Sequence, residues 1–137
     1  MTSGSQVKQL IQAVESMLPA IRETAPDVDA QRTLPDWLVH QLVHAGVFRI
    51  LLGKEHGGLN ADPVTTAKVI EAISSAHASV RWVAMILSAT PYWIAAYLED
   101  DVGREFFRDD PRVVIGGTPV PHGRAVKTEG GWRLSGQ

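Results

Sequence analysis

The stretch Ser79 to Leu98, SVRWVAMILSATPYWIAAYL, decides how the chain folds. From Trp82 to Leu98 it carries no charge, is bounded by Arg81 and Glu99, and is interrupted by Ser88, Thr90 and Pro91. Seventeen residues lie at the lower limit for crossing a bilayer, and a proline in the middle divides the run into two short pieces. Two buried helices explain it better than a membrane span. Ser79 is placed to cap a helix running to about Ala89, and Pro91 to open another that closes near Leu98. Both are apolar nearly all round, which puts them at the centre of a bundle or beneath another domain.

Upstream the pattern is helical. Val7, Leu10, Ile11, Val14, Met17, Leu18 and Ile21 recur at three-four spacing, the mark of one buried helical face. Pro19 is expected to bend that helix, and Pro26 with Asp27 and Asp29 to end or kink it. A second helix opens at Leu34-Pro35, buries Leu38, Val39, Leu42 and Val43, and stops at Gly46. Phe48 to Leu52 is a short apolar passage, and Gly53 to Gly58 reads as an exposed loop with His56 in water. Asp62-Pro63 then starts a third helix over 63–76, the carboxylate capping free amides and the proline pre-set for the first turn. Val69, Ile70, Ile73 and Ala76 form its inward face.

Downstream, Asp100-Asp101 leads one or two helical turns to Phe107, stopped by Asp109-Asp110-Pro111. The period then changes. Arg112 to Ile115, Arg124 to Thr128 and Trp132 to Ser135 read as strands, the last two joined through Glu129-Gly130-Gly131. Helices followed by strands indicate segregated architecture, mainly α, with a helical domain over 1–111 and the start of a β domain over 112–137. Three short strands rarely make a self-sufficient sheet, so a larger β domain is expected to continue beyond a truncated or proteolytic end at Gln137.

Composition narrows the function. The 137 residues are 45% apolar and 20% charged, with net charge −2, which fits a globular fold and argues against a chain built to neutralise nucleic-acid phosphates. The absence of cysteine removes disulfides, thiolate metal sites and a cysteine nucleophile. Met1 to Gln6 is polar and lacks the apolar core of a secretory signal, so the protein reads as cytoplasmic.

Few side chains carry an obvious chemistry. His40 and His44 are four apart on the second helix but have no third ligand, which leaves a solvated helix face rather than a metal site. His77 and His122 sit at element boundaries, where an imidazole satisfies nearby backbone groups. Neither Gly53 to Gly58 nor Gly116-Gly117 has the spacing of a Rossmann or Walker phosphate loop. Gly116-Gly117-Thr118-Pro119 is the more suggestive of the two, since it offers bare amides and a hydroxyl after a strand. Trp82, Met85, Tyr92 and Trp93 form an aromatic group at helical spacing, read first as core packing and second as the wall of a pocket. No serine–histidine–carboxylate set and no carboxylate pair emerges from spacing.

Several ordered features nevertheless align with one family. Leu34-Pro35 opening a helix, Ala45-Gly46-Val47-Phe48 closing it, Glu55-His56-Gly57-Gly58, the helix with Val69-Ile70-Glu71, and the hairpin Glu129 to Gly136 occur together. In that order the chain resembles the amino-terminal part of the acyl-CoA dehydrogenase superfamily from Val7 to Gln137. The resemblance implies a flavin-dependent oxidoreductase, tetrameric as a whole protein, whose catalytic base and most of whose flavin shell lie beyond Gln137. It implies that the fragment alone is inactive. Family dehydrogenases place Thr-Glu-Pro and then Gly-Ser-Asp in the loop after the first strand. Here Thr118-Pro119-Val120-Pro121-His122-Gly123-Arg124 keeps the threonine and lacks the acidic and serine positions.

That loop, with Ser79 to Trp82 upstream, is more similar to two-component flavin monooxygenases. The resemblance then implies FAD or FMN received in reduced form from a separate flavin reductase, and oxygen transfer to an aromatic or sulfur-containing small molecule. Gly117, Thr118 and Pro119 become the expected cofactor contacts; Trp82, Met85 and Tyr92 become the expected pocket wall. No metal, nucleic acid or membrane is implied. An acyl-CoA dehydrogenase and a non-catalytic helical interaction module are the alternatives.

Overall fold

The computed structural model describes residues 3–136 except 109, 111, 119 and 121. Five helices come first: α1 (Ser3–Gln31), α2 (Asp36–Ala45), α3 (Pro63–Ala76), α4 (Ala78–Ala95) and α5 (Asp100–Arg108). Two short 3-10 turns, Val47–Arg49 and Lys54–His56, join α2 to α3, and a hairpin of β1 (Arg124–Thr128) and β2 (Gly131–Ser135) follows.

The apolar periodicity of α1 becomes the floor of the core. Leu10, Val14, Met17 and Ile21 are buried against Leu38 and Leu42 of α2, Val69 and Ile73 of α3, and Val80 and Ala84 of α4, with Val47, Phe48 and Ile50 filling the centre. Each such aliphatic side chain stabilises the fold by about 1.5–3 kcal/mol relative to exposure, so this cluster is the main source of stability. Gly46 ends α2 at φ 84°, a left-handed conformation, and its N–H donates to the carbonyls of Leu42 and Val43. At the start of α3, Asp62 accepts from the amides of Val64 and Thr65, both at 3.0 Å, and Pro63 takes the first helical position.

Prolines act differently from expectation. Helix α1 continues through both Pro19 and Pro26, each exposed. A proline forfeits one i→i−4 bond, but here the flanking turns bury Met17, Ile21 and Val28 against the rest of the molecule, and that packing carries the helix on. The expected fourth and fifth helices are likewise one helix, α4, with Pro91 in its interior. Ser79 is not its cap. His77 occupies that position in extended backbone (φ −160°, ψ 129°), closing α3 and opening α4 at a single residue. Its imidazole lies 3.3 Å from the carboxylate of Asp29 near the end of α1.

Helix α4 is also not the most buried element. Val80, Ala84, Ser88 and Pro91 face the core, whereas Val83, Ile86 and Leu87 are half-buried and Trp82, Tyr92 and Trp93 are exposed. An all-round apolar helix is packed here mainly on the side that faces α1, α3 and the Val47–Arg49 turn. Among the described residues, Arg112 to Ile115 is not a strand. It has no neighbouring strand to bond with and runs as an extended connection, with Val114 packed on the core. The hairpin is antiparallel in the register Arg124 to Ser135 and Thr128 to Gly131, and Trp132 and Leu134 are exposed. The stop expected at Asp109-Asp110-Pro111 falls partly, and the end at Gln137 wholly, outside the described residues. No described helix is long and apolar enough to cross a membrane.

Candidate functional site

Positions 82, 86, 89 and 93 of α4 lie along one stripe opposite its buried face, because three helical turns separate the two tryptophans. Trp82 is 56% exposed and Trp93 61%. Tyr92 stands beside Trp93 edge-on, with ring centroids 6.4 Å apart, and half-buried Met85 lies on the Tyr92 flank. The reading of these residues as core is therefore corrected. They form an uncovered aromatic wall.

The segment after Val114 runs along the other flank of α4. A Cβ placed on Gly116 would lie 3.5 Å from the Leu87 side chain, and one on Gly117 3.2 Å from the Thr90 methyl. The next residue, Thr118, is exposed. Its Oγ1 accepts a hydrogen bond from the Val120 amide at 3.2 Å, which leaves the hydroxyl proton available to a ligand. The structure thus brings Gly117 to the helix that carries Trp82, Met85 and Tyr92, on the flank away from Met85 and Tyr92. Pro119 lies outside the described residues.

These groups suit a planar, polar-edged ring system such as flavin. Bare glycine amides and a threonine hydroxyl offer donors, while the aromatic wall offers dry surface. Gly116 to Arg124 contains no carboxylate and no serine, and His122 is its one imidazole.

A second cluster was invisible to spacing. His56, expected in water, is 6% exposed. Its ring packs 5.9 Å from that of Phe107 in α5, and Gly103 passes so close that a Cβ there would lie 2.8 Å from His56 Cε1. The buried Arg49 donates to the His56 carbonyl at 3.4 Å and to the Asp110 carbonyl at 2.9 Å. Burial pushes the Arg49 guanidinium pKa down, against an upward pull from the Asp110 carboxylate. Asp110 itself is held below the ordinary carboxylate range, chiefly by the hydrogen bond from the Arg112 side chain. The cluster anchors the chain where it leaves α5 for the Thr118 segment. Its only sequence signals were a lone arginine in an apolar run and a glycine inside a short amphipathic helix.

The remaining histidines stay structural. His40 and His44 border an open groove of about 880 Å3 between α1 and α2, with Gln41 and Arg112 on its rim. No group of three or more metal-ligating side chains occurs among the described residues. His122 is exposed, its amide donating to the Val120 carbonyl at 2.9 Å.

A pigment production hydroxylase from Rhodococcus sp. is 30% identical over 129 residues, covering 94% of this chain and 33% of that protein. The oxygenase subunit HsaA of a flavin-dependent monooxygenase from Mycobacterium tuberculosis is 30% identical over 138 residues, 99% of this chain and 35% of the relative. The chain therefore spans about a third of the length of the curated relatives it matches. Among solved structures, XiaF from Streptomyces sp. in complex with FADH2 and glycerol superposes with a TM-score of 0.84 at 25% identity, over 98% of this chain and 34% of that one. The family model for the acyl-CoA dehydrogenase N-terminal domain matches residues 6–108, with the five-helix architecture described above, and the chain belongs to that family.

Proposed function

We propose that this chain is the amino-terminal part of the oxygenase component of a two-component flavin-dependent monooxygenase that hydroxylates an aromatic small molecule. The observation that carries the reading is the exposed aromatic wall of α4, whose other flank the Gly117-Thr118 segment meets at Thr90, in a chain similar to oxygenase subunits and hydroxylases. Residues 1–111 form the helical entry domain, and 112–137 begin a β domain. Reduced flavin, FAD in preference to FMN by similarity to XiaF, comes from a separate reductase. The assembled protein is a cytoplasmic homotetramer.

When bound, reduced flavin supplies the two electrons that let one atom of O2 enter the product while the other leaves as water. The residues of this chain hold and shield it. Thr118 Oγ donates to an acceptor on the cofactor, and the Gly117 amide lies open beside it. Trp82, Met85 and Tyr92 wall the substrate space and keep water out, which protects the oxygen-transfer step from wasteful side reactions.

The test supplies the whole protein with reduced FAD, labelled dioxygen and a panel of phenols. Label from O2 in a hydroxylated product supports the reading. Bleaching of the protein's oxidised flavin by an acyl-CoA under anaerobic conditions, with no labelled product, overturns it in favour of a dehydrogenase.

A further inference from the structure

We infer that Thr90 is a positioning residue: its methyl group sets how closely the Gly117-Thr118 backbone approaches α4, and so where the Thr118 hydroxyl points. The inference rests on the reading of Thr118 as a flavin contact and extends it to a residue that contacts no ligand in that reading.

Three observations lead there. First, a Cβ on Gly117 would lie 3.2 Å from Thr90 Cγ2 and 3.9 Å from its Oγ1, tighter than an ordinary carbon–carbon contact of about 3.5–4.0 Å. The methyl carbon, rather than the hydroxyl, is the limiting atom. Second, Gly117 does not adopt a left-handed φ, unlike Gly46. Alanine is compatible with its backbone, so the glycine is needed for space alone. Third, the Thr90 side chain is fixed, because its hydroxyl donates to the Ile86 carbonyl at 2.8 Å. That bond sets χ1 and points the methyl at Gly117. It also lies at the turn where Pro91 removes a backbone donor, a place where helices bend. The wall that meets the Thr118 segment is thus a methyl on a locked rotamer, one residue before a proline inside the helix.

The two threonine atoms can be removed separately. Thr90→Ser keeps the hydroxyl and its bond to Ile86 while deleting the methyl; Thr90→Val keeps the methyl and deletes the hydroxyl. Gly117→Ala pushes the segment outward by a few tenths of an ångström and weakens reduced-flavin binding by about three- to tenfold, on the scale by which small misplacements of binding groups act. Adding Thr90→Ser makes room and restores affinity to within about twofold of wild type. Adding Thr90→Val does not.

The experiment measures reduced-FAD affinity of the whole protein by anaerobic equilibrium dialysis, with the thermal midpoint of each variant beside it. Wild type, Thr118→Ala, Gly117→Ala and the two Thr90 double variants are compared. Rescue by serine and not by valine supports the inference. Equal rescue by both, or by neither, overturns it while a loss in Thr118→Ala leaves the flavin site standing. If Thr118→Ala and Gly117→Ala both bind as wild type, the site reading itself fails and the positioning role with it. A Gly117→Ala defect in thermal midpoint without any in affinity also overturns it, since the contact is then only structural.

Discussion

Replacing Gly103 by alanine sets two physical effects against each other. In an ordinary helix the substitution stabilises by about 1 kcal/mol, because alanine loses less backbone entropy than glycine. At position 103 the new methyl would lie 2.8 Å from His56 Cε1 and 3.2 Å from Nδ1. The ring has little freedom to retreat. It is buried, it rests on Phe107, and its own backbone carbonyl is held by Arg49. Forcing an extra carbon into such a contact costs about 1–3 kcal/mol, so the steric effect offsets or exceeds propensity and the net loss is up to about 2 kcal/mol. For a domain of this size that lowers Tm by up to about 8 °C. Circular dichroism during heating and urea titration measures it. The control is the same change in a His56→Ala background, where the ring is gone and Gly103→Ala becomes stabilising by about 0.5–1 kcal/mol. A Gly103→Ala variant more stable than wild type in the native background, or the same effect in both backgrounds, refutes the packing of α5 on His56.

Three further outcomes are expected. Asp62→Ala removes the acceptor for two amides of α3 and lowers the urea midpoint at neutral pH. The hydrogen bonds of Asp62, led by that from the Thr65 side chain, depress its folded pKa, so its stabilisation is present above the unfolded carboxylate pKa and is lost as pH falls through the folded one. The gap between wild type and variant therefore closes on acidification, as urea titrations at stepped pH will show. Pro19→Ala supplies an N–H to the Glu15 carbonyl on the exposed side of α1 and raises stability by about 1–2 kcal/mol, read from the same urea midpoint. Arg49→Lys loses the forked donor geometry that reaches both the His56 and Asp110 carbonyls, costs about 1.5–3 kcal/mol, and speeds amide exchange at Val113.

Where a local chemical signal coincides with the tertiary outcome, the chain is legible from its letters. Helix α3 has the expected bounds because Asp62-Pro63 starts it by capping, and α2 ends where Gly46 takes a conformation that other residues resist. The hairpin follows from two short strand-like runs joined by the turn residues Glu129-Gly130. Proline misled where it was read as an end or a start, at Pro26 and Pro91, since its local cost is real but burial on the neighbouring turns outweighs it. His56 misled for a related reason: a glycine-flanked imidazole looks solvated until α5, more than forty positions later, closes over it. The candidate site divides along the same line. Thr118 and Trp82 became candidates through family resemblance, whereas the contacts of Thr90 with Gly117 and of Arg49 with His56 and Asp110 follow from no spacing rule.

The hydrogen bond from Arg49 to the Asp110 carbonyl bridges 61 positions of sequence. Closing a loop of that length costs entropy that the bond must repay, and its second partner is among the later residues to be made. The buried helical core, by contrast, is drawn from residues up to Ala84 of α4, which leave a ribosome first. Folding therefore has an order: the helical core consolidates, α5 settles on His56, Arg49 catches the outgoing strand of chain, and only then does Thr118 reach α4. Run in reverse, the same sequence makes the Thr118 segment the earliest part of the molecule to peel away, so a ligand seated there fastens the last-formed joint and slows opening at its first step.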